Sequence, residues 1–180
     1  MLTTPLHPNH VELGAHMAPF AGWEMPIHYG SQIEEHLQVR QAAGLFDVSH
    51  MVVADLEGSN CEALLQNLLA NDISKLDQDG RALYSCMLNH DGGVIDDLIV
   101  YRLTTKQYRL VLNAGTAESD LEWISAQSKN YDVAITRRQD LAILALQGPT
   151  ARQMMAKLVT DPGALLALGR FWAAEFDQFF

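Results

Sequence analysis

The pattern of apolar and polar positions is clearest in the middle of the chain. Ser31 and Glu34 form an S-x-x-E capping box, Ile33 and Leu37 follow at helical spacing, and Gly44 ends the run, which predicts a helix over 31–43. Met51–Leu56 predicts a strand, and a second box, Ser59 with Glu62, opens a helix to about Leu69. Three strands follow. Ala82–Leu88 runs into Asn89-His90-Asp91-Gly92-Gly93, Val94–Leu103 leaves that turn, and Gln107–Asn113 returns after Thr104–Lys106. Thr116 is placed to cap a helix to about Ser128, with Ala117, Leu121, Ile124 and Ser128 along one face. Val133–Thr136 predicts one more strand.

The order over 50–138 is β-α-β-β-β-α-β, a βαββαβ ferredoxin-like pattern with one extra strand. Residues 1–30 read as loop, because Gly14, Gly22, Pro26 and Gly30 interrupt any period. Beyond the central unit, Leu141–Leu146 is a continuous apolar run, expected of a strand buried on both faces. Gly148-Pro149 starts a helix through Met155, a shorter helix covers Pro162–Leu168, and Arg170–Phe180 predicts a last strand. That strand ends in Phe179-Phe180 with no polar stop, which reads as a cut chain. The expected fold class is α+β. A ferredoxin-like insertion, residues 50–138, interrupts a second, antiparallel α/β domain that is incomplete and is formed by residues 1–49 plus 139–180.

Composition narrows the function classes. The chain has 180 residues, is 48% hydrophobic and 19% charged, and carries a formal net charge of −10. These are the proportions of a folded protein, and the charge argues against a nucleic-acid or anionic-membrane surface, which needs clustered Lys and Arg. Cys61 and Cys86 are far apart and in no CxxC pattern, so no disulfide framework is expected. Met1–His10 lacks a basic region followed by an apolar run, and no stretch reaches the ~20 apolar residues of a membrane span. A cytoplasmic protein is the expectation.

Candidate chemistry centres on Gly92-Gly93-Val94-Ile95-Asp96-Asp97-Leu98-Ile99-Val100-Tyr101. On a strand Asp97 shares a face with Ile95, Ile99 and Tyr101, and Asp96 shares the other with Val94, Leu98 and Val100. One carboxylate must sit among apolar side chains, where ionisation is costly unless a cation or a donor meets it. Such a group is suited to holding a cation or a proton-bearing nitrogen. In the competing reading both aspartates cap the hairpin or pair with Arg81 or Arg102. Asp47, Ser49 and His50 have the residue types of a catalytic triad, but their alternation and the lack of a nucleophile elbow argue against one. Asp47 and Ser49 are expected to hydrogen-bond the turn.

The seven histidines include a His7/His10 pair in a Pro-containing loop, but no H-E-x-x-H, so no metal site is expected. Neither GxGxxG nor GxxxxGK[ST] is present, so nucleotide cofactors are not indicated. Trp23, Met25 and Tyr29 either line a flat ligand site or plug the core.

Four strings go further: FAGWEMPIHYGS (Phe20–Ser31), GLFDVSHM (Gly44–Met51), GGVIDDLIVY (Gly92–Tyr101) and LQGP (Leu146–Pro149). In order and spacing they resemble the amino-terminal part of the glycine-cleavage T-protein, an aminomethyltransferase family, and the resemblance runs to about Gln153. The resemblance implies transfer of a methylene group to tetrahydrofolate from the aminomethyl-lipoyl arm of the H-protein, with release of ammonia. It implies no metal, no nucleic acid and no membrane, and a folate lying amid three domains. Asp97, the second aspartate of the family's IDD motif, is then the expected catalytic residue, near the reacting folate nitrogens. Met51, Tyr84, Asp97, Tyr101 and Asn113 are the expected folate-binding residues. Tyr84 either stacks on the pterin or is a core tyrosine. Asn113 either meets the ligand or ends its strand and caps the next helix.

The family's later GYTGE-like and RLE-like segments are absent from the sequence, so the chain is expected to be inactive or nearly so by itself. The same fold family also includes folate-binding helpers of iron–sulfur assembly and folate domains of demethylating dehydrogenases. FDVSHM followed by GGVIDDL favours the transferase.

Overall fold

The structure is a computed structural model that describes residues 1–176. In chain order the elements are α1 (His7–Glu12), β1 (His16–Phe20), β2 (Trp23–His28), α2 (Gln32–Gln41), β3 (Gly44–Asp47), β4 (Val52–Glu57), α3 (Cys61–Leu68), β5 (Ala82–Leu88), β6 (Val94–Thr104), β7 (Gln107–Leu112), α4 (Ala117–Ser128), β8 (Ala134–Arg137), β9 (Leu144–Gln147), α5 (Ala151–Met155) and α6 (Pro162–Ala167). Helices and several sheets are thus mixed. They divide into two compact units, one of Met1–His50, Ala142–Leu168 and the chain from Ala174, the other of Met51–Leu141 with Gly169–Ala173.

The central unit holds a five-stranded antiparallel sheet in the order β5-β6-β7-β4-β8. Alternation along the strands decides its faces. Leu98 and Val100 of β6, Leu110 and Leu112 of β7, and Val52 and Leu56 of β4 point to one side, where Leu64, Leu65 and Leu68 of α3 and Ile124 of α4 complete a buried cluster. Each such leucine, removed from water, contributes about 1.5–3 kcal/mol before conformational entropy is counted. The predicted strands of this unit lie where the alternation put them, within a residue or so.

Its two helix caps do not. Neither α3 nor α4 has a side-chain cap: Asn60 and Thr116 occupy the N-cap positions, and the hydroxyls of Ser59 and Thr116 donate to Asp132 Oδ2 at 2.7 Å and Asp96 Oδ2 at 2.5 Å. Donation to a carboxylate is a strong, charge-assisted bond that turns each hydroxyl toward its acidic partner, in an orientation where its oxygen does not accept from a helix amide. Of the expected strand over Arg170–Phe180, the described residues show a single bridge, between Trp172 and Arg81, whose guanidinium lies 4.9 Å from the Trp172 ring centre. Phe179-Phe180 lies outside the described residues.

The other unit is built from two-stranded ribbons, β1 with β2 and β3 with β9. The reading of residues 1–30 as loop is corrected here. Ala21 and Gly22, at φ +47° and +84°, make a two-residue left-handed turn that closes the β1–β2 hairpin. Pro19 and Pro26 are tolerated because each strand of a two-stranded ribbon has a free edge. Ser31 caps α2 as expected, accepting from the Glu34 amide at 3.3 Å. Leu141–Leu146 is not a doubly buried strand: only Leu144–Gln147 pairs, and Leu144 remains half exposed. Gly148 has φ +124° and passes so close to the end of α2 that a Cβ there would lie 2.4 Å from the Ala42 carbonyl oxygen.

Candidate functional site

Register across the sheet gathers the predicted site residues. Tyr84 pairs with Ile99 and Ile99 with Val111, while Ala82, Tyr101, Arg109 and Asp55 form the next row. Asp97 pairs with Cys86, and Met51 and Asn113 each stand one residue beyond the last Val52–Leu112 pair. Because side chains alternate, Tyr84, Asp97 and Tyr101 belong to the face opposite α3 and α4, with Met51 and Asn113 at its end. Alternation thus puts Met51, Tyr84, Asp97 and Tyr101 on one side of a single sheet, while Asn113, just past the end of β7, turns its amide to Asp96.

The Tyr84 hydroxyl donates to Asp97 Oδ2 at 2.7 Å. That bond, more than burial, raises the Tyr84 phenol above its ordinary value, so the ring keeps its proton and holds the carboxylate in place. Tyr84 is half exposed, which separates it from a core tyrosine. Tyr101 is partly buried, and burial raises its phenol. Asn113 uses its Nδ2 on both oxygens of Asp96, at 3.1 and 3.2 Å, and on the Asp97 carbonyl at 3.0 Å. Its Oδ1 is the atom left to offer a ligand. It ends β7 but does not cap α4, where Thr116 is the N-cap.

Asp96 points the other way, toward α4. Burial works against its charge, yet hydrogen bonds led by that from Thr116 outweigh it and hold the carboxyl below its usual range. Beside it lies Asp120, fully buried, with neither oxygen in a hydrogen bond among the described residues. Burial first, and the Asp96 carboxylate second, push Asp120 up to about 7. The N-terminal dipole of α4 favours a charged Asp120 by at most ~1 kcal/mol, and burial wins. Sequence reasoning missed Asp120, although it stands three residues after Ala117 and four before Ile124 on the buried stripe of α4. Neither aspartate of the IDD string pairs with Arg81 or Arg102, whose acidic partners are Asp77 and Asp79.

Arg109 grips Asp55 with two hydrogen bonds, at 2.7 and 2.8 Å, and Arg138 adds a third at 2.5 Å before reaching Asp140. Asp55 is held below its ordinary value by these guanidinium groups, Arg109 foremost.

In the other unit, Asp47 and Ser49 do hydrogen-bond the turn, Ser49 N to Asp47 Oδ1 at 3.0 Å. The Ser49 hydroxyl donates to the Ile143 carbonyl at 3.2 Å, and burial lowers the pKa of His50, whose Nδ1 has no partner among the described residues. Those contacts leave no triad. Instead Asp47 Oδ2 meets His10 Nε2 at 2.9 Å, and His10 Nδ1 meets the Tyr29 hydroxyl at 2.6 Å. His7 meets Glu24 at 2.8 Å, and Met25 is buried while Trp23 is partly so. Among the described residues no group of three or more His, Cys, Asp or Glu side chains could hold a metal ion, and no helix is long and apolar enough to cross a membrane.

The comparisons with known proteins agree on one family. The model of the GCVT N-terminal domain matches residues 6–177, and the chain belongs to that family. It is 55% identical over 174 residues to the aminomethyltransferase of Xylella fastidiosa strain M23, covering 96% of this chain and 47% of that protein. Against the aminomethyltransferase of Francisella tularensis subsp. mediasiatica it is 53% identical over 160 residues, 89% of this chain and 44% of that protein. The crystal structure of glycine cleavage system aminomethyltransferase T from Bartonella henselae superposes with a TM-score of 0.82 at 37% identity, over 87% of this chain and 43% of that one. The chain spans somewhat less than half the length of the curated relatives it matches.

Proposed function

We propose that this chain forms the Asp97-bearing part of a tetrahydrofolate-dependent aminomethyltransferase of glycine cleavage, acting in the cytoplasm. The substrates are tetrahydrofolate and the aminomethyl group on the lipoyl arm of the H-protein; the products are methylenetetrahydrofolate, ammonia and the free thiol of the dihydrolipoyl arm. No metal is required. The observation that carries the reading is the sheet face that carries Met51, Tyr84, Asp97 and Tyr101, with Asn113 at its end and the Tyr84 hydroxyl fixing the Asp97 carboxylate at 2.7 Å.

The chemistry follows from that face. As ammonia leaves the aminomethyl carbon, an iminium-like cation develops, and a fixed carboxylate stabilises it better than water, which must reorient. Tyr84 holds Asp97 in advance of the reaction, so little reorganisation remains. Tyr84 and Tyr101 offer rings to a flat pterin, and Asn113 Oδ1 offers an acceptor to a ring N–H. We assign the helper roles of related folate-binding proteins no part here, since the named relatives are aminomethyltransferases.

The same reading extends to domain architecture. Strands β8, β4, β7 and β6 lie side by side in the order of a ferredoxin-like βαββαβ unit, with β5 added at the edge. We read residues 50–138 as such a unit inserted into the domain of residues 1–49 and 139–180.

A domain replacement tests the function. Residues 1–174 of this chain, exchanged for the matching part of the Xylella fastidiosa aminomethyltransferase, should support methylenetetrahydrofolate formation that depends on lipoylated H-protein. A soluble, folded chimera that forms none would refute the assignment. The chain by itself is expected to stay at the background rate.

A further inference from the structure

Among the described residues, Asp120 is the most deeply buried charge-bearing side chain that the proposed chemistry leaves unused. It is fully enclosed, neither of its oxygens is within a hydrogen bond of a partner among the described residues, and its neighbours are another carboxylate and the Thr116 hydroxyl, which is given to Asp96. Asp96 is the better satisfied of the two: Thr116 Oγ1 donates at 2.5 Å, and Asn113 Nδ2 reaches both oxygens. Two carboxylates cannot both be ionised side by side in a dry site, and two ionised carboxylates cannot hydrogen-bond each other. The donors around Asp96 decide which one keeps the charge.

We propose that Asp96 and Asp120 form a carboxylate–carboxylic acid pair that holds one proton, donated by Asp120 to Asp96, and that Asp120 is thereby a positioning residue for Asp97. The link to Asp97 is short. Asn113 ties the Asp96 carboxylate to the Asp97 carbonyl, so the pair fixes the backbone from which Asp97 projects to the opposite face. The groups facing Asp120 are Asp96 from β6 and Thr116 from the turn before α4, and both are accounted for in this arrangement. The value of about 7 for Asp120 agrees with a proton held through neutral pH. The pair titrates as a unit, and its catalytic consequence rests on the transferase reading above.

The sign of the linkage is fixed by the direction of the shift. Asp120 is protonated more readily folded than unfolded, so its stabilisation is complete below its unfolded value and fades as pH rises to about 7. Asp120→Asn can still donate to Asp96 but does not titrate. The unfolding constant of the wild type relative to Asp120→Asn should therefore rise by up to about tenfold per pH unit between roughly pH 4 and 7, then level off. A ratio flat across that range would overturn the shared proton.

Infrared difference spectra of the full chain read the proton directly. A protonated-carboxyl carbonyl band should be present at pH 6, vanish by pH 8.5, and be missing in Asp120→Asn. Should that variant fail to fold, the wild-type spectrum alone decides, since no such band at pH 6 means no proton.

Positioning is read in the chimera described above. Asp120→Ala should lower kcat about ten- to a hundredfold with the folate KM little changed, and Asp120→Asn should restore it. An unchanged kcat in a folded Asp120→Ala chimera would overturn the positioning role. A chimera inactive even with Asp120 present would instead strike the transferase reading, and the infrared result would stand.

Discussion

The two faces of the five-stranded sheet obey opposite rules. On the side of α3 and α4 the alternate residues are mostly buried aliphatics or aromatics, and the polar interruptions at Ser85, Asp96 and Arg102 are met by hydrogen-bond partners. On the other side the rows carry Tyr84, Asp97, Tyr101, Arg109 and Asp55, and polar groups are paired within the face. One face supplies folding free energy, and the other carries the polar groups to which the proposed function assigns the chemistry. Because neighbouring residues of β6 belong to opposite faces, Asp96 and Asp97 are adjacent in sequence and unlike in task.

Substitutions break that comparison in order of size. Leu110→Ala removes a fully buried side chain from the helix side and should cost about 2–5 kcal/mol, measured by urea denaturation. Gly148→Ala, in the other unit, forces a side chain into left-handed backbone against the Ala42 carbonyl, and should cost about 1–3 kcal/mol. Arg109→Ala leaves Asp55 with Arg138 alone. A loss of about 1–3 kcal/mol is expected, with a flatter stability profile in acid. The acid dependence arises because Asp55 is held below its unfolded value: its contribution is present above about pH 4 and lost as pH falls further. Tyr84→Phe should move stability by less than about 0.5 kcal/mol, because the ring is half exposed, while kcat of the chimera falls. A Tyr84→Phe that cost as much as Leu110→Ala would erase the distinction between the faces.

Most of the helix side was legible in the sequence because it follows one rule, alternation bounded by turn residues. Asn89 shows why the turn was readable: its side-chain oxygen accepts from both Asp91 N and Gly93 N, which is what an Asx turn requires. The β1–β2 hairpin was not legible, because its turn is Ala21-Gly22 and an alanine in left-handed backbone carries no sequence signal. Leu141–Leu146 misled for a different reason. An apolar run says that residues prefer burial, not that a partner sheet is there, and Leu144 lies on a two-stranded ribbon.

Caps failed at Ser59 and Thr116 because each hydroxyl is oriented by donation to a carboxylate, and those partners, Asp132 and Asp96, are distant in sequence. The same distance hid Asp120. Its stripe position was visible, but the second carboxylate that gives it meaning is 24 residues earlier in the chain. Asp97 was legible as a carboxylate on an apolar strand, whereas the division of labour with Asp96 depended on which face the helices cover.

The most direct test compares Asp97→Asn with the unsubstituted chimera in single-turnover methylene transfer from the lipoylated H-protein to tetrahydrofolate. Loss of one preorganised charge at the developing cation should lower the rate about 100- to 1000-fold, with folate binding and stability close to unchanged. A folded Asp97→Asn chimera that transfers at the unsubstituted rate would contradict the assignment of Asp97 and of the face that carries it.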